Sequence, residues 1–261
     1  MGLFLLQFSE MSAALSKSKF QAALTRFHDA FRVPEKRAAL TLLTGISELD
    51  NLTGGIPRGA LSEIFGPASS GRTSLLYSML HFATTHDEIC ALIDINNVFA
   101  PTAAAPAGID LDRFLWVRCD SNLEHGFKAT DLILHAGGFG LVVLDMGDVS
   151  GKDAKRIISS WWYRFRRTVE NTPTAIVVVS TDACTRSCAS LTVELNGFAE
   201  WVKTNVQRSE LVNHANLLRG NSIKIDRRRP IVPGLNRSQF KSSNYFDQMS
   251  DELLVCRPHQ L

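Results

Sequence analysis

Residues 60–82, ALSEIFGPASSGRTSLLYSMLHF, run from a largely apolar stretch through a loop bounded by Gly66 and Gly71 into apolar residues at helical spacing. Such a run is a short buried strand feeding a glycine-containing loop that opens a helix. It commits the chain to an α/β architecture, because a strand apolar on both faces has to be covered on both.

The same alternation continues downstream. Strands are predicted at ICALIDI (89–95), FLWVRC (114–119), LVVLDM (141–146) and TAIVVVST (174–181), with helices over 72–82, about 123–136 and about 152–170. The pattern predicts a mostly parallel sheet between helices. Beyond Leu191 it changes to strand-like pieces, SLTVELNG and NSIKIDRRRP, so a basic, strand-rich end is expected from about residue 190. Near the start, Phe20, Leu24, Phe27 and Phe31 form one apolar stripe at helical spacing. We therefore divide the chain into an N-terminal helical extension, 1–36, and a core, 37–261. The stripe either packs on its own core or serves self-association.

Composition narrows the function classes. A net charge of +2 names no partner, and the apolar opening MGLFLLQF is too short to span a bilayer. The five cysteines lack the paired spacings of a disulfide frame or a zinc site, which fits reduced thiols and a cytoplasmic protein.

The loop carries the chemistry. In the pattern G-x-x-x-x-G-K-[ST], backbone N–H groups wrap phosphates, the lysine reaches the terminal phosphates and the hydroxyl holds magnesium. Gly66, Ser69, Ser70, Gly71, Thr73 and Ser74 fit that frame, with Arg72 in the lysine position. They are the candidate ATP-binding residues. Thr73 and the strand-final Asp145 are the candidate Mg2+ ligands. Arginine keeps the charge, but its planar guanidinium is bulkier and favours bidentate contacts, so catalytic positioning suffers more than binding.

Two segments suit nucleic acid or a protein partner. RIISSWWYRFRRTVENT holds Trp162, Arg164, Arg166 and Arg167, able to stack on bases and pair with phosphates. On the competing reading Trp161 and Phe165 face the core and the arginines are a solvated helix face. Residues 201–241 hold nine basic residues against two acidic, a local charge of +7. There NSIKIDRRRP followed by PGLNRSQF reads as a basic hairpin displaying Arg227, Arg228, Arg229 and Arg237, or as an edge strand protected by charge.

The stretch TGISELDNLTGGIPRGALSEIFGPASSGRTSLL resembles the RecA family of recombinases, and the resemblance continues through CALIDINNVFAPTAAAPAGIDLDRFL, covering residues 40–181. It implies a phosphate-loop core. The family's lysine falls on Arg72, its catalytic glutamate on Asn96, its adenine-stacking tyrosine on Ala103, its nucleotide-sensing pair on Ser180 and Thr181, and its loop glutamate on Ala68. The segments matching its two DNA-holding loops, DMGDVSGKDAKR and DACTRSCASL, are shortened. This combination is similar to the ImuA group, RecA-like accessory proteins of bacterial mutagenic translesion synthesis that act beside a second accessory protein and an error-prone polymerase.

The resemblance implies an accessory protein of DNA damage tolerance that binds single-stranded DNA, a repair partner, or both, with ATP and Mg2+ binding and little hydrolysis. The alternative is a DNA-dependent ATPase recombinase in which Asp94 replaces the lost glutamate. A third reading is a protein-interaction module.

Overall fold

The computed structural model describes residues 4–7, 22, 41–203, 216–230 and 237–243. The apolar stripe between Phe20 and Phe31 lies outside the described residues.

The strands are β1 (Phe4–Gln7), β2 (Thr41–Leu42), β3 (Ile56–Pro57), β4 (Ala60–Phe65), β5 (Cys90–Asp94), β6 (Phe114–Arg118), β7 (Leu141–Met146), β8 (Ala175–Ser180), β9 (Leu191–Lys203), β10 (Asn216–Arg229) and β11 (Arg237–Ser243). The helices are α1 (Ser47–Thr53), α2 (Arg72–Thr85), α3 (Pro101–Ala104), α4 (Leu123–Ala136), α5 (Gly151–Arg156) and α6 (Ser159–Val169). Nine strands form one mixed sheet in the order β1-β6-β5-β7-β8-β4-β9-β10-β11. Pairing is parallel from β1 through to the β4–β9 contact, then antiparallel over β9–β10–β11. Strands β2 and β3 form a separate pair.

The central strands are apolar on both sides, and successive residues divide between two cores. Ala91, Ile93, Val142, Leu144, Ile176 and Val178 face α4 and α6. Cys90, Leu92, Leu141, Val143, Val177 and Val179 face α1 and α2. This alternation is why the strands read as continuous hydrophobic runs rather than as polar–apolar repeats.

Register brings the strand ends together. Phe65 pairs with Ser180, Met146 with Ser180, and Asp94 with Asp145. The loops after β4, β5, β7 and β8 therefore open on one edge of the sheet, where ligands of open α/β sheets bind.

The structure departs from the sequence reading in two places. The single helix expected over 152–170 is two, because Ile157 and Ile158 take extended conformations (ψ 125° and 128°) between α5 and α6. Restarting at Ser159 rotates the helix so that Trp162, Phe165 and Val169 point inward. Trp162 is 1% exposed and packs edge-on to Phe127 at 5.1 Å. It is a core residue, which overturns its assignment to base stacking; Trp161 is half-buried and packs on Phe127 and Phe165. The strand-like pieces after Leu191 also join into a long antiparallel ribbon, paired from Thr192–Arg229 to Lys203–Asn216.

Trp162→Ala is expected to cost about 3–5 kcal/mol of stability through the cavity it leaves, read as a lower urea midpoint with unchanged slope. Tyr163→Ala, which truncates an exposed side chain, is expected to stay within about 0.5 kcal/mol of the parent.

Candidate functional site

Strand β4 delivers the chain into the loop at Gly66, whose N–H donates to Ser180 O at 3.2 Å. Inside the loop, Ser70 N–H donates to Pro67 O, Ser69 has φ 60° and Gly71 has φ 94°. The first helical bond of α2 is Leu75 N–H to Gly71 O. The N–H groups of Arg72, Thr73 and Ser74 are therefore first-turn donors without helical acceptors, the arrangement that binds an anion.

Two of the loop's positions have no room for a side chain. A Cβ on Gly66 would lie 2.3 Å from Leu195 O, and one on Gly71 would lie 2.1 Å from the Ile223 side chain. Strand β9 approaches equally closely from outside, since a Cβ on Gly197 would meet Ser69 O at 2.2 Å. Backbone and Ile223 thus brace the cradle from the β9–β10 ribbon. Ser69, Thr73 and Ser74 are exposed, whereas Ser70 is buried with its hydroxyl unpartnered.

Arg72 does not point out over the loop. Its Nη1 donates to Gly147 O at 2.8 Å and reaches Thr181 Oγ1 at 3.4 Å, and Thr181 Oγ1 donates to the same carbonyl at 2.7 Å. The guanidinium so lies across the ends of β7 and β8. It closes a cavity of about 40 Å³ lined with Thr73, Leu76, Val98, Asp145, Gly147, Asp148 and Val179. That is room for a water or two, not for a triphosphate.

Asp145 faces this cavity and accepts from Gly147 N–H at 2.8 Å. Burial pushes its carboxyl up to about 6; the Gly147 N–H and then Arg72 pull it down, while Asp94 and Asp148 add to the rise. Thr73 and Asp145 are the right oxygen donors for magnesium. A cation between them would also face the Arg72 guanidinium, so the set fits a metal only with that side chain displaced. Among the described residues no group of three or more His, Cys, Asp or Glu side chains is placed to hold a metal ion.

Asp94 is unsuited to replace the missing glutamate. It is fully buried, and its two oxygens accept from Val98 N–H (3.1 Å), Phe99 N–H (2.9 Å) and Trp116 Nε1 (3.2 Å). It is a structural staple for the turn after β5. Asn96, two residues on, donates weakly to Ser121 Oγ at 3.5 Å and leaves its Oδ1 unpartnered. Ala103 lies exposed on α3 and offers no ring for a base.

Much of the positive charge counted in the sequence is neutralised locally. Arg227 is buried and donates to Leu52 O at 2.6 Å, so it is withdrawn from the basic surface. Arg228 pairs with Glu194, and Arg237 with Asp226 at 2.8 Å. Arg164 holds Asp131 through two bonds of 2.5 Å and lies over Trp161. Arg166 and Arg167 are exposed, and no carboxylate pairs with them among the described residues; Arg229 donates to Arg186 O and Ala189 O.

Sequence reasoning missed two residues. Glu63, inside the run ALSEIF, is buried and its carboxylate accepts from Cys184 N–H (2.6 Å), Thr185 N–H (3.0 Å) and Thr185 Oγ1 (2.6 Å). A lone acid in an otherwise apolar strand was the available signal. Arg186, in the short connection after β8, had none.

The family described as RecA N-terminal domain matches residues 33–152. Protein RecA of Wigglesworthia glossinidia brevipalpis is 35% identical over 107 residues, 40% of this chain and 32% of that protein. Protein RecA of Blastochloris viridis is 34% identical over 143 residues, 50% of this chain and 41% of that one. The chain thus spans well under half the length of these curated relatives.

Asp145 gives the site a pH signature. Its folded value of about 6 exceeds the ordinary 3.8, so its stabilising contribution is complete below about pH 4 and is lost as pH rises through about 6. Asp145→Asn, which keeps an acceptor for Gly147 N–H, is expected to gain about 1–2 kcal/mol relative to the parent between pH 5 and pH 7.5, measured by urea unfolding at both values. The loop, the ends of β5 and β7 and every lining residue of the Asp145 cavity except Val179 fall within residues 33–152, and over that segment this chain is RecA-like.

Proposed function

We propose that this protein is a RecA-like accessory factor of DNA repair or damage tolerance, which binds single-stranded DNA, a repair partner, or both, and hydrolyses ATP little or not at all. The observation that carries the reading is Arg72, whose guanidinium is bonded to Gly147 O and Thr181 in the space beside Asp145 where a phosphate-bound magnesium would be needed. Hydrolysis also needs a base to orient and deprotonate water, and Asn96 supplies an amide instead.

Nucleotide binding is a separate matter. The first-turn N–H groups of α2 and the Thr73 and Ser74 hydroxyls remain available to phosphates. ATP held there would use this chain's backbone as its cradle. Magnesium, when bound, would neutralise charge between the phosphates, with Thr73 and Asp145 as its protein ligands once Arg72 swings away. Translesion synthesis, with an error-prone polymerase and its accessory protein as partners, is the cellular setting that the degraded catalytic positions support. A protein partner is also supported by a recess of about 330 Å³ in which Leu123, Phe127, Ile157, Ile158 and Trp161 are joined by the charged Glu124, Asp153 and Arg156, with Ile158 68% exposed.

A titration with a fluorescent ATP analogue, together with phosphate release with and without single-stranded DNA, tests the reading. The parent is expected to release phosphate roughly 10²- to 10⁴-fold more slowly than a recombinase that has its general base. Arg72→Lys is expected to tighten analogue binding without restoring turnover. DNA-stimulated hydrolysis at a recombinase rate in the parent protein would refute the proposal.

A further inference from the structure

Three segments far apart in sequence meet on the flank of the sheet beside α6. Tyr163, Arg166, Arg167 and Glu170 line an open recess of about 430 Å³ on α6. The connection between β8 and β9 runs alongside it, with Ser187 Oγ 3.5 Å from Tyr163 OH and Arg186 Nη1 donating to Ser159 Oγ at 2.7 Å. The end of β10 reaches the same place, where Arg229 Nη1 donates to Arg186 O and Ala189 O. Cys188 lies at the junction: burial raises its thiol pKa, and Arg166, Arg186 and Arg229 all pull it back.

The charges here differ from those elsewhere on the surface. Arg164, Arg228 and Arg237 are each held by a carboxylate. Among the described residues no carboxylate forms an ion pair with Arg166, Arg167, Arg186 or Arg229, and all four are exposed. Among the described residues, Glu170 is the only acidic one lining the recess. Glu63 lies beneath the connection with its oxygens occupied by Cys184 and Thr185, which fixes the backbone that displays Arg186. Arg186 takes a left-handed conformation (φ 55°) within that fixed connection. Like-charged guanidinium groups held together on a rigid base repel one another until an anion arrives, and a site so preorganised loses little entropy on binding.

We infer that Arg166, Arg186 and Arg229, with Arg167 beside them and the exposed ring of Tyr163, form a site for the phosphates of single-stranded DNA on this flank. The inference rests on the proposed DNA-binding reading and gives it a location. Guanidinium groups from three elements suit a backbone with phosphates at regular intervals, and a half-exposed phenol next to them offers a face for an unstacked base. A duplex would present its stacked bases edge-on and leave that ring without a partner. The recess is lined by two arginines, a glutamate and a phenol, which gives an apolar protein surface little to bury.

The test is fluorescence anisotropy with a labelled oligothymidylate over a salt series, on the full chain and on Arg166→Gln, Arg186→Gln and Arg229→Gln. Each variant is expected to make the negative slope of log K against log salt shallower by about 0.7, which at ~50 mM salt corresponds to about eightfold weaker binding relative to a 1 M reference. Arg166→Lys is expected to retain most of the affinity, Glu170→Gln to tighten it, and Arg164→Gln, whose charge is already paired with Asp131, to leave it unchanged. Circular dichroism melts of the variants matching the parent show that loss of binding is not loss of fold.

If the parent binds with ordinary salt dependence and Arg166→Gln and Arg186→Gln bind equally well, the site is wrong while the DNA-binding reading stands. If the parent does not bind the oligonucleotide at low salt, both fall. Binding of polyglutamate but not oligothymidylate, abolished by the same substitutions, would overturn the inference by assigning the flank to an acidic protein.

Discussion

The buried carboxylate of Glu63 is the contact on which the arrangement of the edge depends. An acidic group with almost no exposure is tolerable only when every oxygen has a donor, and its donors come from the segment after β8. That demand draws the chain down over the α6 face to where Ser190 N–H meets Leu61 O, so that β9 begins beside β4. Strand β9 then brings Leu195 O and Gly197 against the loop after β4, and β10, paired to it, brings Ile223 against Gly71. The shape of the cradle and the position of the basic flank follow from one acid in one strand.

Arg72 shows how little separates a phosphate site from a closed one. The loop keeps its glycines, its turn and its free first-turn donors, and nothing in its backbone opposes an anion. What changes is where the cation goes. A guanidinium presents donors at the rim of a plane, and here it finds carbonyl and hydroxyl acceptors on the ends of β7 and β8. The positive charge then serves to join two strands next to Asp145. An anion that drew on this charge would have to displace the Gly147 and Thr181 contacts.

The sheet, its order of helices and the loop were legible in the sequence because they rest on local signals: continuous apolar runs, glycine spacing and helical periodicity. Strands β4 to β8 fall within a residue or so of where those runs end. The basic flank was legible only in part. Counting charge along residues 201–241 says nothing about partners, and the partners of Arg227, Arg228 and Arg237 are Leu52, Glu194 and Asp226, set by the sheet register and by packing on α1. Trp162 was misread for a related reason: two isoleucines in extended conformation restart the helix, and the restart decides which aromatic ring points inward. Periodicity within a helix is visible in sequence, but its phase depends on where the helix begins.

The sheet order also bears on how the molecule is made. Strand β4 pairs with β8 and β9, Ala60 meeting Ala175 and Ser62 meeting Leu191. During synthesis the loop after β4 emerges early, yet neither of its strand's neighbours exists until most of the chain has left the ribosome, and such non-local parallel pairings form slowly. Meanwhile β5 and β6, next to one another in the sheet and closer in sequence, are free to pair. The loop between β4 and α2 is thus among the last parts to take shape, and a chain truncated before Leu191 carries the whole loop sequence without the strand that braces it.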